Sequence, residues 1–255
     1  MKYLKIAVVS IGTIILFNLI TFAIKLFDIN ILKIPGLLSE KQLIIASTIR
    51  DLIVIAIFFF ILILYGKKNI FKTIKINKFF KKKNIKLIIV MTLSGMFLGI
   101  ILSGIVGEFI TSNKFMINNV VNLKNSILGL IFMLIIAPIL EEIIFRGILF
   151  NYLKKHCNVA FAIIIQAIVF GVFHGNVSQG VNAFVMGIIL AIIYLYTNSL
   201  WGDILAHGLT NFLCLICGMY SVANGIFIIT SIISIVILIK NREKYKNELK
   251  RILYK

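Results

Sequence analysis

Long apolar stretches separated by short lysine-rich segments dominate the 255 residues of this sequence. A run of about 20 mostly apolar residues is long enough to cross a bilayer as a helix, which satisfies its own backbone hydrogen bonds in lipid. With 60% hydrophobic residues and a mean hydropathy of +1.06, the chain carries more apolar surface than one soluble core can bury. The sequence therefore predicts an all-α, multi-pass protein of the cell membrane.

Eight transmembrane helices are predicted, and together they form a single membrane domain over residues 1–255. Their approximate limits are 6–24, 43–65, 87–107, 127–150, 159–173, 181–197, 200–220 and 225–239. Residues 66–86 form a basic linker and residues 240–255 a basic tail. Because lysine and arginine concentrate on the cytoplasmic side, this pattern places linker, tail and both termini in the cytoplasm.

The net charge of +18 does not indicate a nucleic-acid partner, since the positive residues lie in short runs between apolar stretches. We expect contact with membrane lipid instead. The linker either lies on anionic lipid or is an ordinary cytoplasmic loop. The three cysteines, Cys157, Cys214 and Cys217, are too few for a disulfide framework. Cys214 and Cys217 form a CxxC pattern, but they lie in an apolar helical run, where a metal or redox role is not favoured.

Two adjacent glutamates and an arginine lie inside the predicted span 127–150. Ionisable side chains at bilayer depth are costly unless they are paired or hydrated. Glu142 and Arg146 are four residues apart, so they share a helix face and can form an ion pair. Glu141 points about 100° away from that pair, and Pro138 removes a backbone hydrogen bond just before it. Two carboxylates in different environments suit acid–base catalysis. A purely structural ion pair would explain Glu142 and Arg146 but leaves Glu141 unexplained.

A histidine ends the fifth predicted span, and chain geometry brings it near the glutamates. The turn between the fourth and fifth spans is centred near His156, with Glu141 15 positions before it and His174 18 positions after it. In antiparallel helices this difference corresponds to an offset of only about 4–5 Å along the axis. We therefore expect Glu141 and His174 to meet, although a lone histidine at a helix end is often interfacial.

The seventh predicted span carries a second histidine together with an asparagine. His207 and Asn211 are four residues apart on one face, and each can donate a hydrogen bond to a developing negative charge. Asp203, one turn before His207, is expected to orient its imidazole. Gly208 permits close helix packing.

Three motifs, EExxxR, FxxxH and HxxxN, thus occur in this order on successive predicted membrane helices. Together they resemble the CPBP family, which includes the CAAX prenyl endopeptidases, bacteriocin-immunity proteins and Abi proteins. The matching residues are Glu141, Glu142, Arg146, Phe170, His174, His207 and Asn211. The first three predicted spans resemble the family only as hydrophobic helices.

The resemblance implies an intramembrane endopeptidase whose catalytic core is residues 127–211. Glu141 as general base, together with His174, is expected to activate a water for attack on a peptide carbonyl. His207 and Asn211 are expected to stabilise the oxyanion that results. The substrate class is a hydrophobic or membrane-associated peptide or protein.

The resemblance also implies that Glu142 and Arg146 hold the shape and charge of the site, as part of its catalytic set. A metal-free mechanism is favoured, so no cofactor is expected to be required. If zinc is bound, Glu141, His174 and His207 are its expected ligands.

Two alternatives stay open at this point. A non-catalytic immunity or partner-binding protein of the same family would use the polar cluster for binding or for helix packing. A transporter would also contain buried acids and histidines, but its polar residues would continue along several helices. The sequence does not predict the oligomeric state.

Overall fold

The structure, a computed structural model, describes residues 9, 10, 12, 53, 56, 74–107, 127–175, 177–219 and 221–253, and most of these residues are helical. A short 3-10 helix, Lys82–Asn84, comes first. The longer helices are α1 (Ile85–Gly107), α2 (127–156), α3 (Val159–Phe173), α4 (Val177–Thr197), α5 (Leu200–Met219), α6 (Ser221–Lys240) and α7 (Arg242–Leu253). No strand occurs in these ranges. The predicted spans 6–24 and 43–65, and most of the linker, lie almost entirely outside the described residues.

Each of the last six predicted spans coincides with one of the helices α1 to α6. By length and composition, Lys82–Val106, Val177–Thr197 and Leu200–Cys217 are long and apolar enough to cross a membrane. A fourth span results if α6 and α7, which meet at a bend of 68°, count as one broken helix. The count of eight spans and the cytoplasmic placement of both termini stay predictions, as does the division into one domain with linker and tail.

Helix α2 is irregular at the point where the motif residues lie. Phe132–Ile136 and Ile143–Phe150 are π-helical, and the α-helical segment Ala137–Glu142 lies between them. Pro138 has no N–H, so it cannot donate to the carbonyl of Leu134 one turn earlier. Wide π turns are frequent at functional sites, because they turn side chains and carbonyls away from the regular helical register.

Small residues bring α3 and α4 into close contact. A methyl group built on Gly171 would lie 2.7 Å from the carbonyl oxygen of Gly180, and one built on Gly187 would lie 2.9 Å from the Cα of Ala167. Glycine at these positions lets the backbones approach to a distance that larger side chains prevent. The contact fixes the end of α3, where His174 lies, against α4. Gly175 then takes a φ of +66°, in the left-handed region that glycine adopts readily, and the chain turns into α4.

The segment 74–81, which precedes α1, is attached to the beginning of α5. The Leu200 backbone N–H donates to the carbonyl of Lys75 at 3.3 Å, and the Trp201 indole donates to the carbonyl of Ile76 at 2.7 Å. The Ile74 side chain is buried against Gly147. This end of the predicted linker is therefore part of the packed structure.

Candidate active site

A cavity of about 520 Å³ opens between α2, α3, α4 and α5. Five residues of the three motifs line it: Glu141, Phe170, His174, His207 and Asn211. Apolar side chains supply most of the remaining wall. The structure therefore brings residues that are up to 70 positions apart in the chain to one space, and it places Glu141 and His174 on the same cavity.

The remaining two motif residues, Glu142 and Arg146, form a buried ion pair behind the cavity. Arg146 Nη1 donates to Glu142 Oε1 at 2.9 Å, and both side chains are fully buried. The ion pair predicted from the four-residue spacing is present. Arg146 Nη2 also donates to the carbonyl of Gly187 at 3.3 Å, and its guanidinium lies over the Phe170 ring, 4.4 Å from the centroid. The positive charge therefore has a carboxylate, a carbonyl and an aromatic face as partners.

His207 lies between the two glutamates. Its Nδ1 is 2.8 Å from Glu142 Oε1, and because a carboxylate only accepts, the imidazole donates Nδ1–H there. Its Nε2 is directed towards Glu141 and lies 3.9 Å from Oε2. Glu142 therefore fixes the ring so that Nε2 is presented to the cavity.

The expectation that Asp203 orients His207 is wrong, because Glu142 occupies the hydrogen-bonding position at Nδ1. The Asp203 side chain is fully buried, and neither carboxylate oxygen has a hydrogen-bond partner in the part of the chain that the structure describes. Residues four apart on one helix share a face, but here Glu142 on the neighbouring helix α2 takes the hydrogen bond from the imidazole.

His174 is held by the backbone of its own helix. Its Nδ1 lies 2.8 Å from the carbonyl of Phe170, so Nδ1 carries the proton and Nε2 is left as an acceptor. The Phe170 ring packs edge-on against His174, with centroids 4.9 Å apart, and against His207 at 5.8 Å. The phenylalanine of the FxxxH motif thus packs against both imidazoles and helps to fix their orientation.

Asn211 joins α5 to the first π-helical segment of α2. Its Nδ2 donates to the carbonyl of Met133 at 2.8 Å. An amide nitrogen carries two hydrogens, so one is left for a group in the cavity. One turn earlier, a methyl group built on Gly208 would lie 2.8 Å from the carbonyl of Leu134, the carbonyl to which Pro138 cannot donate. The close packing predicted at Gly208 is present.

Sequence reasoning missed three amides that belong to the site or its support. Gln179 and Asn182 lie one turn apart on α4 and line the cavity. Gln166 is fully buried and donates to the carbonyl of Gly187 at 2.8 Å, beside Arg146. Amides inside otherwise apolar helices were the available signal, and they carry no charge to draw attention to them.

The predicted zinc ligands do not form a metal-binding group. Within the described ranges, no three His, Cys, Asp or Glu side chains are placed to hold one metal ion. Since Glu141, His174 and His207 do not form such a group as placed, we derive no reaction step through a metal.

Residues 123–213 match the family model described as type II CAAX prenyl endopeptidase Rce1-like, and all three motifs fall inside this stretch. The chain is also similar to a protein of Bacillus subtilis (strain 168) named "Putative membrane peptidase YdiL". Both matches support the resemblance of this core to the CPBP family. The similarity to the Bacillus protein is 37% identity over 90 residues, which is 35% of this chain and 37% of that relative. The CPBP match thus spans about a third of the relative's length, and no solved structure matches the chain.

Proposed function

We propose that this protein is an intramembrane endopeptidase that hydrolyses hydrophobic or membrane-proximal peptides without a required metal. One observation carries the proposal: Glu141, His174 and His207 line the same cavity, and buried Glu142 fixes the ring of His207 from behind. A carboxylate and two imidazoles around a space that admits water are the groups that general acid–base hydrolysis needs.

In the proposed reaction, Glu141 removes a proton from a water molecule, whose oxygen attacks the carbonyl carbon of the peptide bond. The free Nε2 of His174 accepts a hydrogen bond from the same water and orients it. Collapse of the tetrahedral intermediate breaks the C–N bond, and Glu141 returns its proton to the leaving nitrogen. General acid–base assistance of this kind contributes about 10²–10⁴-fold to the rate.

The negative charge on the carbonyl oxygen is stabilised from α5. His207, with Nδ1–H bound to the Glu142 carboxylate, presents Nε2 to the cavity, and an Nε2–H there would donate a hydrogen bond to the oxyanion. The second amide hydrogen of Asn211 is available for the same oxygen. The Glu142–Arg146 pair touches neither water nor substrate in this scheme, and it positions His207.

The non-catalytic alternative draws support from one contact, the hydrogen bond from Asn211 to Met133, which uses a motif residue to join two helices. In that case the motif residues would be needed for folding and for binding a partner, and no peptide would be cleaved.

Peptide cleavage by the purified protein in proteoliposomes separates the two functions. We expect wild type to cleave a hydrophobic reporter peptide, and Glu141→Ala, His174→Ala and His207→Ala to accumulate in the membrane but lose cleavage. His156→Ala is the matched control, since His156 ends α2 away from the cavity lining and its Nδ1 is 2.8 Å from the carbonyl of Tyr152. Equal cleavage by the cavity variants and wild type would refute the proposal.

A further inference from the structure

Asn182 on α4 is an amide on the wall of the candidate active site that the proposed reaction does not use. It lines the same cavity as Glu141, His174 and His207. Apart from the motif residues, most of that wall consists of phenylalanine, methionine, leucine and alanine side chains. A polar side chain in a helix apolar enough to cross a membrane is costly unless it has a hydrogen-bonding role, so this amide requires an explanation.

Asn182 is not used as the buried amides elsewhere in the bundle are. Asn151 donates to the carbonyl of Gly147 at 2.8 Å. Gln166 donates to the carbonyl of Gly187, also at 2.8 Å. By contrast, Oδ1 of Asn182 is buried and accepts no hydrogen bond in the described residues. Hydrogen bonding between helices therefore does not explain this amide.

A glycine on α1 sets the orientation of the Asn182 side chain. A Cβ built on Gly99 would overlap Asn182 Oδ1 and lie 3.2 Å from its Cγ, so the oxygen end of the amide fills the space beside the glycine. Oδ1 is buried there, whereas the residue as a whole is only partly buried and lines the cavity. The Nδ2 end is therefore the part of the amide that faces the cavity.

We propose that Asn182 is a substrate-binding residue whose Nδ2 donates a hydrogen bond to a main-chain carbonyl of the peptide, close to the bond that is cleaved. This inference rests on the proposed function and adds how a hydrophobic peptide is held. Each peptide unit that enters an apolar cavity brings a C=O group that loses its hydrogen bonds to water. An amide N–H is a partner for that group whatever the neighbouring side chains are. Recognition then depends on the main chain and on apolar side chains.

Two substitutions separate the amide of Asn182 from its volume. Asn182→Leu keeps the volume, Asn182→Ala does not, and both remove Nδ2. We expect each to raise KM for a hydrophobic reporter peptide by roughly 3–10-fold at unchanged kcat, because a hydrogen bond made equally in the bound and reacting states is lost. The unfolding temperature of Asn182→Leu should not fall. Ser178→Ala is the matched control and should keep the wild-type KM, since Ser178 is a polar residue of the same helix outside the cavity lining.

Gly99→Ala tests the same contact from α1. The added methyl group displaces the end of the Asn182 side chain, so KM should rise as it does in Asn182→Ala. In the Asn182→Ala background the same substitution should have no further effect, because the nearest remaining atom, the Asn182 Cα, is at an ordinary contact distance of 3.4 Å. Gly104→Ala is the control on the same helix, with nothing within 4 Å of its added methyl group.

Reporter peptides with a single thioamide identify the carbonyl that Asn182 binds. A thioamide keeps the N–H of the peptide bond, but its sulfur is a weaker hydrogen-bond acceptor than oxygen. The thioamide is placed at successive bonds on either side of the cleaved one. At one of these positions it should raise the KM of wild type and leave the KM of Asn182→Leu unchanged.

A wild-type KM in Asn182→Leu would overturn the inference. So would a fall in its unfolding temperature together with a loss of kcat, which would show a structural role. Binding of the fluorescently labelled peptide is measured as well, in proteoliposomes and in the Glu141→Gln background, with and without Asn182→Leu. If peptide is bound but wild type cleaves none, the proposed function fails, whereas weaker binding with Asn182→Leu still supports the role of Asn182. Absence of binding would overturn both.

Discussion

The close contact between α3 and α4 predicts a large effect of a single methyl group at Gly187. A Cβ at this position would lie 2.9 Å from the Cα of Ala167 and 3.0 Å from its Cβ, whereas ordinary van der Waals contact begins at 3.4 Å. The obstructing atoms belong to the backbone and Cβ of α3, which cannot rotate away. Gly187→Ala therefore forces α3 and α4 apart by about 0.5 Å.

The shift reaches the candidate site through the Gly187 carbonyl, which accepts from Gln166 and from Arg146. Overpacking of this size costs about 1–3 kcal/mol. For a protein of this length, that lowers the unfolding temperature by roughly 2–12 °C. Displacement of Arg146 also moves Glu142 and the imidazole it holds, and a misplacement approaching 1 Å can lower the rate by about 10²-fold.

The assay is thermal unfolding of the purified protein in detergent, together with peptide cleavage. Gly104→Ala is the matched control, since nothing lies within 4 Å of a Cβ at Gly104 on α1. Alanine exceeds glycine in helix propensity, so the control should unfold at or slightly above the wild-type temperature. If Gly187→Ala unfolds at the same temperature as the Gly104→Ala control, α3 and α4 do not pack as closely as the structure shows.

Three further predictions follow from the ion pair, a buried lysine and the metal question. Arg146→Met leaves Glu142 buried without its cation and should cost about 3–5 kcal/mol of unfolding free energy, measured by denaturant titration; a loss below about 1 kcal/mol would contradict the buried pair. Burial, with the charges of Lys75 and Lys155, lowers the pKa of Lys154 to about 8, so the unfolded chain binds more protons between about pH 8 and 10.5 and the unfolding free energy should rise across that window. Lys154→Met should remove this rise, and an unchanged pH profile would contradict it. Excess chelator should leave peptide cleavage unchanged, whereas loss of cleavage with recovery on adding zinc would show a metal-dependent reaction.

The sequence predicted those parts of the structure that depend on one helix at a time. Hydrophobic length located the helices, and the end of α3 at Phe173 falls where the apolar run ends. The four-residue spacing predicted the Glu142–Arg146 pair, since both residues lie on one helix and the spacing alone brings them together. The basic tail was expected as a charged segment, but it forms helix α7, whose Tyr245 packs against Tyr196 with ring centroids 6.4 Å apart.

Contacts between helices could not be predicted in the same way. The partner of His207 is Glu142 on α2 rather than Asp203 on its own helix, because the rotation of α2 depends on its two π-helical segments. A π turn adds residues to a turn, so the regular 100° step per residue no longer predicts which face a side chain occupies. Pro138 indicated an irregular helix, but not the length or place of the wide turns.

The separate roles of the two adjacent glutamates are the central claim, and the cleavage rate of Glu141→Gln tests it most directly. Glu141 lines the cavity, so its amide variant should fold and unfold as wild type does but cleave at least about 10²-fold more slowly, because glutamine cannot accept the proton of water. A Glu141→Gln protein that folds normally and keeps most of the wild-type cleavage rate would contradict the account.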